Sequence, residues 1–346
     1  MNSFDPWLSQ IPLGVLGMGA ALPGPPLTTQ VLVERMVERF GFSRSREALS
    51  IAQRMLISSR HICRPFAARH ELPTHGQSNP ELAARAVRIA LDEAGLRVTD
   101  IGYLIGHTTT PASSLPANIA AVADLIGYGG PHVELRQACT GFANALMIAH
   151  GLVACGGKPV AIVGSETGSI FFDPAELDSD PDQIVNMIQM GDGAGAIILG
   201  AAGAGRGTIN AAWYGAIGLD RAPGIARRQG AMRFEHDFGA IRQHGHLLFD
   251  AGLRAAASQG FGPENSDRIV PHQVSGRIGE LMTARYGLAP GQPFVNADHC
   301  GNTGSAAIWL ALAELRRESL AAGQRVLVLG AEASKYMYGG FHYAHA

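Results

Sequence analysis

One pattern occurs twice in this chain, and it restricts the fold more than any other feature. Cys139-Thr140-Gly141 opens a run of small and apolar residues, and the strand-like Lys158-Pro159-Val160-Ala161-Ile162-Val163-Gly164-Ser165-Glu166 follows it. Asn302-Thr303-Gly304 opens a second such run, followed by Arg325-Val326-Leu327-Val328-Leu329-Gly330-Ala331-Glu332. Each copy is a turn and helix feeding a buried strand that ends in Gly-small-Glu. The opening residue and the strand Gly lie 25 residues apart in one copy and 28 in the other. A period that long marks a duplication, not a solenoid. Strand, helix and strand alternate in each copy, which predicts a mainly parallel sheet covered by helices, an α/β fold. Two halves are expected, 1–202 and 203–346, joined by a small-residue connection. The duplication sets Cys139 and Asn302 at corresponding helix starts, facing one another.

Cys139 lies in Gln137-Ala138-Cys139-Thr140-Gly141-Phe142, which reads as strand, sharp turn and helix. The helix dipole favours a thiolate at that place. A thiolate is the attacking species in covalent acyl chemistry. Taken alone, a free cysteine is more often a small buried hydrophobe. A second element is the short strand Asp267-Arg268-Ile269-Val270-Pro271, which delivers His272 to the C-terminal edge of the sheet. Ligands of open α/β sheets collect there, although a lone histidine is more often a packed or hydrogen-bonded group. The third is His299-Cys300-Gly301-Asn302-Thr303-Gly304-Ser305, before the helical run Ile308 to Leu315. The plain reading of Asn302 is an N-cap. The three in this order say more than any one of them.

With these residues the chain resembles the ketoacyl-ACP synthase III-like branch of the thiolase superfamily. Cys139 matches that family's A-C-x-G-F motif, His272 its H-Q-A-N-like motif and Asn302 its G-N-T-S-like motif. Gly191-Asp192-Gly193-Ala194-Gly195-Ala196 reproduces a G-D-G-A-G-A motif between them. Thr108-Thr109-Thr110-Pro111 resembles a T-x-T-P segment, and Arg54 to Arg60 an R-T-G-I-x-x-R segment without its Gly. The matches run from about residue 12 to the end.

The resemblance implies a thiolase fold, two duplicated βαβαβ halves in five αβαβα layers. It implies that Cys139 takes an acyl group from acyl-CoA or an acyl carrier protein. His272 and Asn302 would then donate hydrogen bonds to the oxygen of a malonyl thioester while it loses CO₂, and a β-ketoacyl thioester would result. The oxyanion hole would use the Cys139 N–H and a donor near Ala333 or Ser334. Arg54, Phe142, Gln273, Ser275 and Arg277 would contact substrate. No metal and no redox cofactor is expected. A homodimer is expected, pairing through an edge strand near residues 159 to 164. Four departures point to a specialised relative, one of secondary metabolism: His272-Gln273-Val274-Ser275, Cys300 before Gly301, a C-terminal loop without its glycines, and a longer, more helical stretch from Gly41 to Ile62. An acyltransferase that passes the acyl group to an alcohol or amine is the alternative. An inactive homologue is a third reading, opposed by the retention of all three residues.

Composition fits a soluble enzyme. The chain has 346 residues, 47% hydrophobic and 16% charged, with a net charge of −2, so no electrostatic pull toward nucleic acid or an anionic membrane is implied. Four cysteines (Cys63, Cys139, Cys155, Cys300) do not make a disulfide scaffold, and their spacing announces no metal site. Ile11 to Leu22 reads as a first strand and not as a signal peptide. No apolar run is long enough to span a bilayer, and the cytoplasm is the default location. Asn79–Ala94 and Ala240–Ala257 read as helices. Phe171 to Asp182 reads as a solvated acidic loop. His61, His70 and His75, near Arg60, Arg64 and Arg69, read equally as phosphate ligands or surface groups.

Overall fold

The computed structural model describes residues 4–69, 71–203, 205–227 and 233–346; His70 therefore lies outside the described residues. Its main strands are β1 (Leu13–Ala21), β2 (Tyr103–His107), β3 (His132–Leu135), β4 (Val160–Thr167), β5 (Asp192–Ala201), β6 (Gly207–Ala216), β7 (Arg268–Pro271), β8 (Arg325–Glu332) and β9 (Met337–His345). Its main helices are α1 (Thr29–Phe40), α2 (Ser45–Met55), α3 (Asn79–Ala94), α4 (Asn118–Ile126), α5 (Gly141–Ala154), α6 (Pro181–Gln189), α7 (Phe238–Ala257), α8 (Ile278–Tyr286) and α9 (Ala307–Glu318).

The duplication is plain in the strand order. The first set runs β3-β2-β4-β5-β1 and the second β7-β8-β9-β6. In both, the pairs at the outer end are parallel (β2 with β3 and β4; β7 with β8) and the remaining pairs antiparallel. The counterpart of β3 in the second set has shrunk to one parallel bridge, Ile269 to Pro293. The sets touch edge to edge only where Leu13 and Gly14 pair with Ile209 and Thr208.

α5 and α9 lie between the two sets, in one apolar core with both, through Phe142, Leu146, Ile308 and Leu312. α3 and α4 cover the outer face of the first set, α7 and α8 that of the second. This is the five-layer αβαβα arrangement. Burying one such Phe or Leu contributes roughly 1.5–3 kcal/mol. α3 starts and stops as its sequence dictates: Ser78 and Glu81 form a capping box, Pro80 sits in the first turn, and Gly95 closes it at φ +65°. It also packs tightly, since a Cβ on Gly19 of β1 would lie 2.0 Å from the Ala86 carbonyl oxygen.

Several expectations are corrected. Residues 159 to 164 do not form an edge: β4 is buried throughout and paired on both sides, and the edge is β3. The acidic segment after Phe171 is no loose loop. Asp173 pairs with Arg69, Asp180 caps α6, and Asp178 accepts from Ser43. Arg60 is fully buried and donates to the Ile188 carbonyl, Arg64 stacks on Phe66, and His61 bonds the Pro23 and Gly24 carbonyls. These groups are engaged in internal contacts, Arg60 with the end of α6 and Arg64 with the Ser169 and Phe172 carbonyls. Among the described residues, no helix is long and apolar enough to cross a membrane.

Candidate active site

Cys139 sits in the turn that ends β3 and starts α5, two residues before the first helical residue. The turn is held from the other half of the chain. Glu332, at the end of β8, accepts from the Thr140 N–H at 3.0 Å and the Thr140 hydroxyl at 2.7 Å. The Ser334 hydroxyl donates to the other oxygen of the same carboxylate. Glu166, at the end of β4, repeats the device on the second turn. It accepts from the Ser305 N–H at 3.0 Å and the Ser305 hydroxyl at 2.8 Å, while Thr109 and Thr110 donate to its second oxygen. Each Gly-small-Glu strand thus clamps the functional turn of the opposite half.

Asn302 lies at the end of a tight turn, and it is not a helix cap. Its side-chain oxygen accepts the Gly304 N–H at 3.0 Å, which fixes the carboxamide and leaves its NH₂ for the cavity. The G-D-G-A-G-A segment explains itself here. Gly191 donates its N–H to the Asn302 carbonyl at 3.1 Å, and a Cβ on Gly191 would lie 1.9 Å from the Cys300 carbonyl oxygen. Only glycine admits that approach. Asp192 accepts from the N–H groups of Cys63 and Ser169.

β7 delivers His272, whose N–H bonds Leu329 of β8 at 2.7 Å. The ring is buried, and its Nδ1 has no partner, so Nε2 is the nitrogen open to the cavity. Burial pushes this imidazole down to about 4, and it is neutral at physiological pH.

Cys139, His272 and Asn302 share the wall of one cavity of about 300 Å³ with Gln189 and His236; the rest of the wall is apolar and includes Met55, Phe249 and Ile278. Cys139 and Asn302 also face a second cavity of about 280 Å³, where Thr109, Glu166, Met190 and Ser334 form the wall with Arg136 and Arg227 of more exposed segments. Cys139 therefore stands where two cavities meet. One carries the groups that can stabilise charge, and the other has room for an acyl chain.

The thiol differs from the sequence expectation. A helix start favours the thiolate, but burial, then the Glu332 and Glu166 carboxylates, push the Cys139 thiol well above its usual range. Cys139 therefore rests protonated. Its N–H and that of Ser334 donate to no backbone or side-chain acceptor among the described residues, and both stay free for an oxyanion. The Ser334 hydroxyl does not, because it already donates to Glu332.

The substrate-contact expectations fare unevenly. Phe142 points into the inter-sheet core, edge-on to Trp309 and Phe341, and lines neither cavity. Gln273 is a brace: its oxygen accepts from the N–H groups of Asn296 and Ala297, and its NH₂ donates to Phe294. Ser275 is buried outside both cavities; its neighbour Val274 lines the first. Arg54 and Arg277 are exposed, next in sequence to the lining residues Met55 and Ile278, and Arg277 pairs with Glu280. Sequence reasoning missed Glu166 and Glu332 as clamps. Their signal was the repeated Gly-small-Glu itself.

Frame and cavity together define a class: cysteine-dependent condensing enzymes of the thiolase fold. Comparison with known proteins narrows this. Residues 133–216 match the family model 3-oxoacyl-[acyl-carrier-protein (ACP)] synthase III, and residues 256–340 match the model of its C-terminal part. A β-ketoacyl-[acyl-carrier-protein] synthase III of Rhodobacter capsulatus is 31% identical over 280 residues, 75% of this chain and 82% of that protein. The enzyme of that name from Rhodospirillum rubrum is 27% identical over 96% of this chain and 97% of its own. Among solved structures, AbyA1, a tetronic acid condensing enzyme, superposes with a TM-score of 0.83 at 26% identity, covering 96% of this chain and 99% of that one. The 3-oxoacyl-(acyl carrier protein) synthase III of Pseudomonas aeruginosa PAO1 gives 0.79 at 26% identity, with 96% and 98% covered. The chain belongs to the 3-oxoacyl-[acyl-carrier-protein] synthase III family and is a condensing acyltransferase.

Proposed function

We propose that Cys139 takes an acyl group from acyl-CoA or an acyl carrier protein, and that His272 and Asn302 then drive decarboxylative condensation with a malonyl thioester. In the first half-reaction Sγ attacks the thioester carbonyl, the thiol proton leaves with the departing thiol, and the acyl chain enters the cavity beside Thr109 and Met190. The N–H groups of Cys139 and Ser334 support the oxyanion. In the second, the malonyl thioester oxygen accepts from His272 Nε2–H and the Asn302 NH₂. CO₂ leaves, the enolate attacks the Cys139 thioester, and the released thiolate takes a proton from solvent water. No metal or redox cofactor enters these steps. The supporting observation is the shared cavity wall, with a neutral imidazole and a carboxamide whose oxygen is already engaged. Exposed Arg54 and Arg277 beside the mouth suit the phosphates of CoA or a carrier protein. The clamp by Glu332, in place of the family's glycines, and the likeness to a tetronic acid condensing enzyme support a role in specialised metabolism. A homodimer paired through β3, in the cytoplasm, completes the reading, with 1–202 and 203–346 as its halves.

Intact mass spectrometry with a panel of acyl-CoAs, followed by malonyl-CoA, tests this. Cys139→Ala should lose the acyl adduct, while Cys155→Ala keeps it. Asn302→Ala should keep the adduct and lose malonyl-CoA decarboxylation by about two to three orders of magnitude, since one buried oxyanion donor is worth roughly 3–4 kcal/mol. An adduct that survives in Cys139→Ala sinks the mechanism. Acylation without any consumption of malonyl-CoA, but with transfer to an alcohol or amine, would replace condensation by simple acyl transfer.

A further inference from the structure

Three side chains that the reaction does not use meet behind the Asn302 turn. His299 and Cys300 end the short helix Ala297–Cys300, and Glu314 projects from α9. One donor atom from each lies within 4.8 Å of the other two. His299 Nε2 is 2.9 Å from Glu314 Oε1, and its Nδ1 is 2.9 Å from Asp298 Oδ1. Asn296 donates to the second Glu314 oxygen at 2.9 Å, which fixes the carboxylate toward the imidazole. Cys300 is a free, buried thiol, while the His299 side chain is about half exposed and opens a path from solvent. Cys300 is also one of the positions where this chain departs from the family pattern.

We propose that His299, Cys300 and Glu314 form a structural zinc site that fastens the Asn302 turn to α9. Thiolate, imidazole and carboxylate are the donors zinc takes. Bonds of about 2.0–2.3 Å in a tetrahedron place donor atoms roughly 3.3–3.8 Å apart, so the cluster closes on an ion by movements of about an ångström. A water takes the fourth position on the exposed side, since Asp298 bonds the other imidazole nitrogen, Nδ1. The ligand set carries two negative charges when Cys300 is ionised, which matches the cation. Zn²⁺ displaces the thiol proton of Cys300 and the proton His299 shares with its carboxylates, and both pass to buffer. Nothing is oxidised or reduced. The site faces away from the thioester chemistry and stands or falls independently of it. Its sequence pattern, His-Cys with a Glu fourteen residues after the cysteine, resembles no metal spacing, because α9 brings the third ligand from the core.

The test uses the full chain carrying Cys139→Ala, which removes the catalytic thiol as a competing soft ligand. The protein is cleared of metal with a chelator and titrated with Co²⁺, then Zn²⁺. One equivalent of Co²⁺ should give a sulfur-to-cobalt charge-transfer band, which one equivalent of Zn²⁺ removes. Zinc at micromolar concentration should raise the melting temperature. Cys300→Ser should abolish the band, and Glu314→Gln and His299→Ala should weaken binding at least about tenfold. Cys155→Ser should change nothing. The absence of a band, a band that survives Cys300→Ser, or a melting temperature indifferent to zinc would reduce the cluster to an ion-paired histidine and overturn the proposal. If Cys300→Ser does not fold, unaltered cobalt affinity in Glu314→Gln overturns it equally.

Discussion

Burial first, and then the carboxylates that hold its turn in place, push the Cys139 thiol up. The same Glu332 that accepts from Thr140 raises the thiol, and Glu166 adds to this from the other side. Position and reactivity are in tension at this one residue. Glu332→Gln separates them, since an amide oxygen still accepts from Thr140 but carries no charge. Removing a negative neighbour lowers the thiol pKa, so more thiolate is present at a fixed pH. Alkylation of Cys139 by iodoacetamide at pH 7.5 should therefore accelerate, by about tenfold for each pKa unit recovered. A slower reaction would mean that the clamp matters through order and not through charge. The placement of Cys139, His272 and Asn302 around one cavity was legible in the sequence because each lies in a turn after a strand or before a helix, where a short motif fixes the geometry. Phe142 and Gln273 were misread for a related reason. Both adjoin a functional residue, but one turn of helix sends Phe142 into the core, and the strand end turns Gln273 toward the Asn296 backbone.

At the scale of elements, the repeated strands were visible because β4 and β8 are covered on both sides and so read as unbroken apolar runs. What they do at their ends was not visible. Glu332 reaches Thr140 across 192 residues, and Glu166 reaches Ser305 across 139, and no local pattern reports such contacts. The edge of the sheet was misplaced for the same reason, since the apolar run near residue 160 is the interior of the sheet and the polar β3 is its margin. Polar residues suit an edge that water reaches. The ladder from Leu104 N–H to the Pro131 carbonyl, and from Thr108 N–H to the Leu135 carbonyl, turns Val133 and Leu135 toward β2. His132 and Glu134 therefore present their N–H and C=O groups outward. If the chain dimerises through this edge, sedimentation at micromolar concentration should give about twice 36.4 kDa. His132→Pro removes one outward N–H without touching the inner ladder, and should weaken the dimer at least about tenfold while leaving the melting of the monomer fold unchanged. An unaltered dimer in that variant would place the interface elsewhere.

The whole molecule is built around two functional turns, and its layers bury titratable groups to hold them. His107, at the end of β2, lies beneath the Cys139 turn and accepts the Trp309 N–H at 3.1 Å, and its Nδ1 has no partner. A Cβ on Gly141 would lie 2.7 Å from that ring. Burial pushes His107 down to about 3, from 6.5. The sign follows: between those values the unfolded chain binds a proton that the folded chain refuses, so stability is present above pH 6.5 and is lost as the pH falls. Glu166 and Asp192, raised by burial, act in the opposite sense, because their neutral forms relieve the fold as the pH falls. The pH curve of the intact protein therefore mixes both signs, and a difference between variants isolates one. His107→Gln keeps an acceptor for Trp309 and removes the titration. From pH 7 to pH 5 the single histidine costs the wild type roughly 2 kcal/mol, at 1.36 kcal/mol per unit below 6.5. Urea unfolding at the two pH values should show a loss smaller by about that amount in His107→Gln, whatever its absolute stability. The same pH slope in both proteins would mean that His107 is protonated in the fold, and that the Cys139 turn rests on a charge and not on a neutral ring.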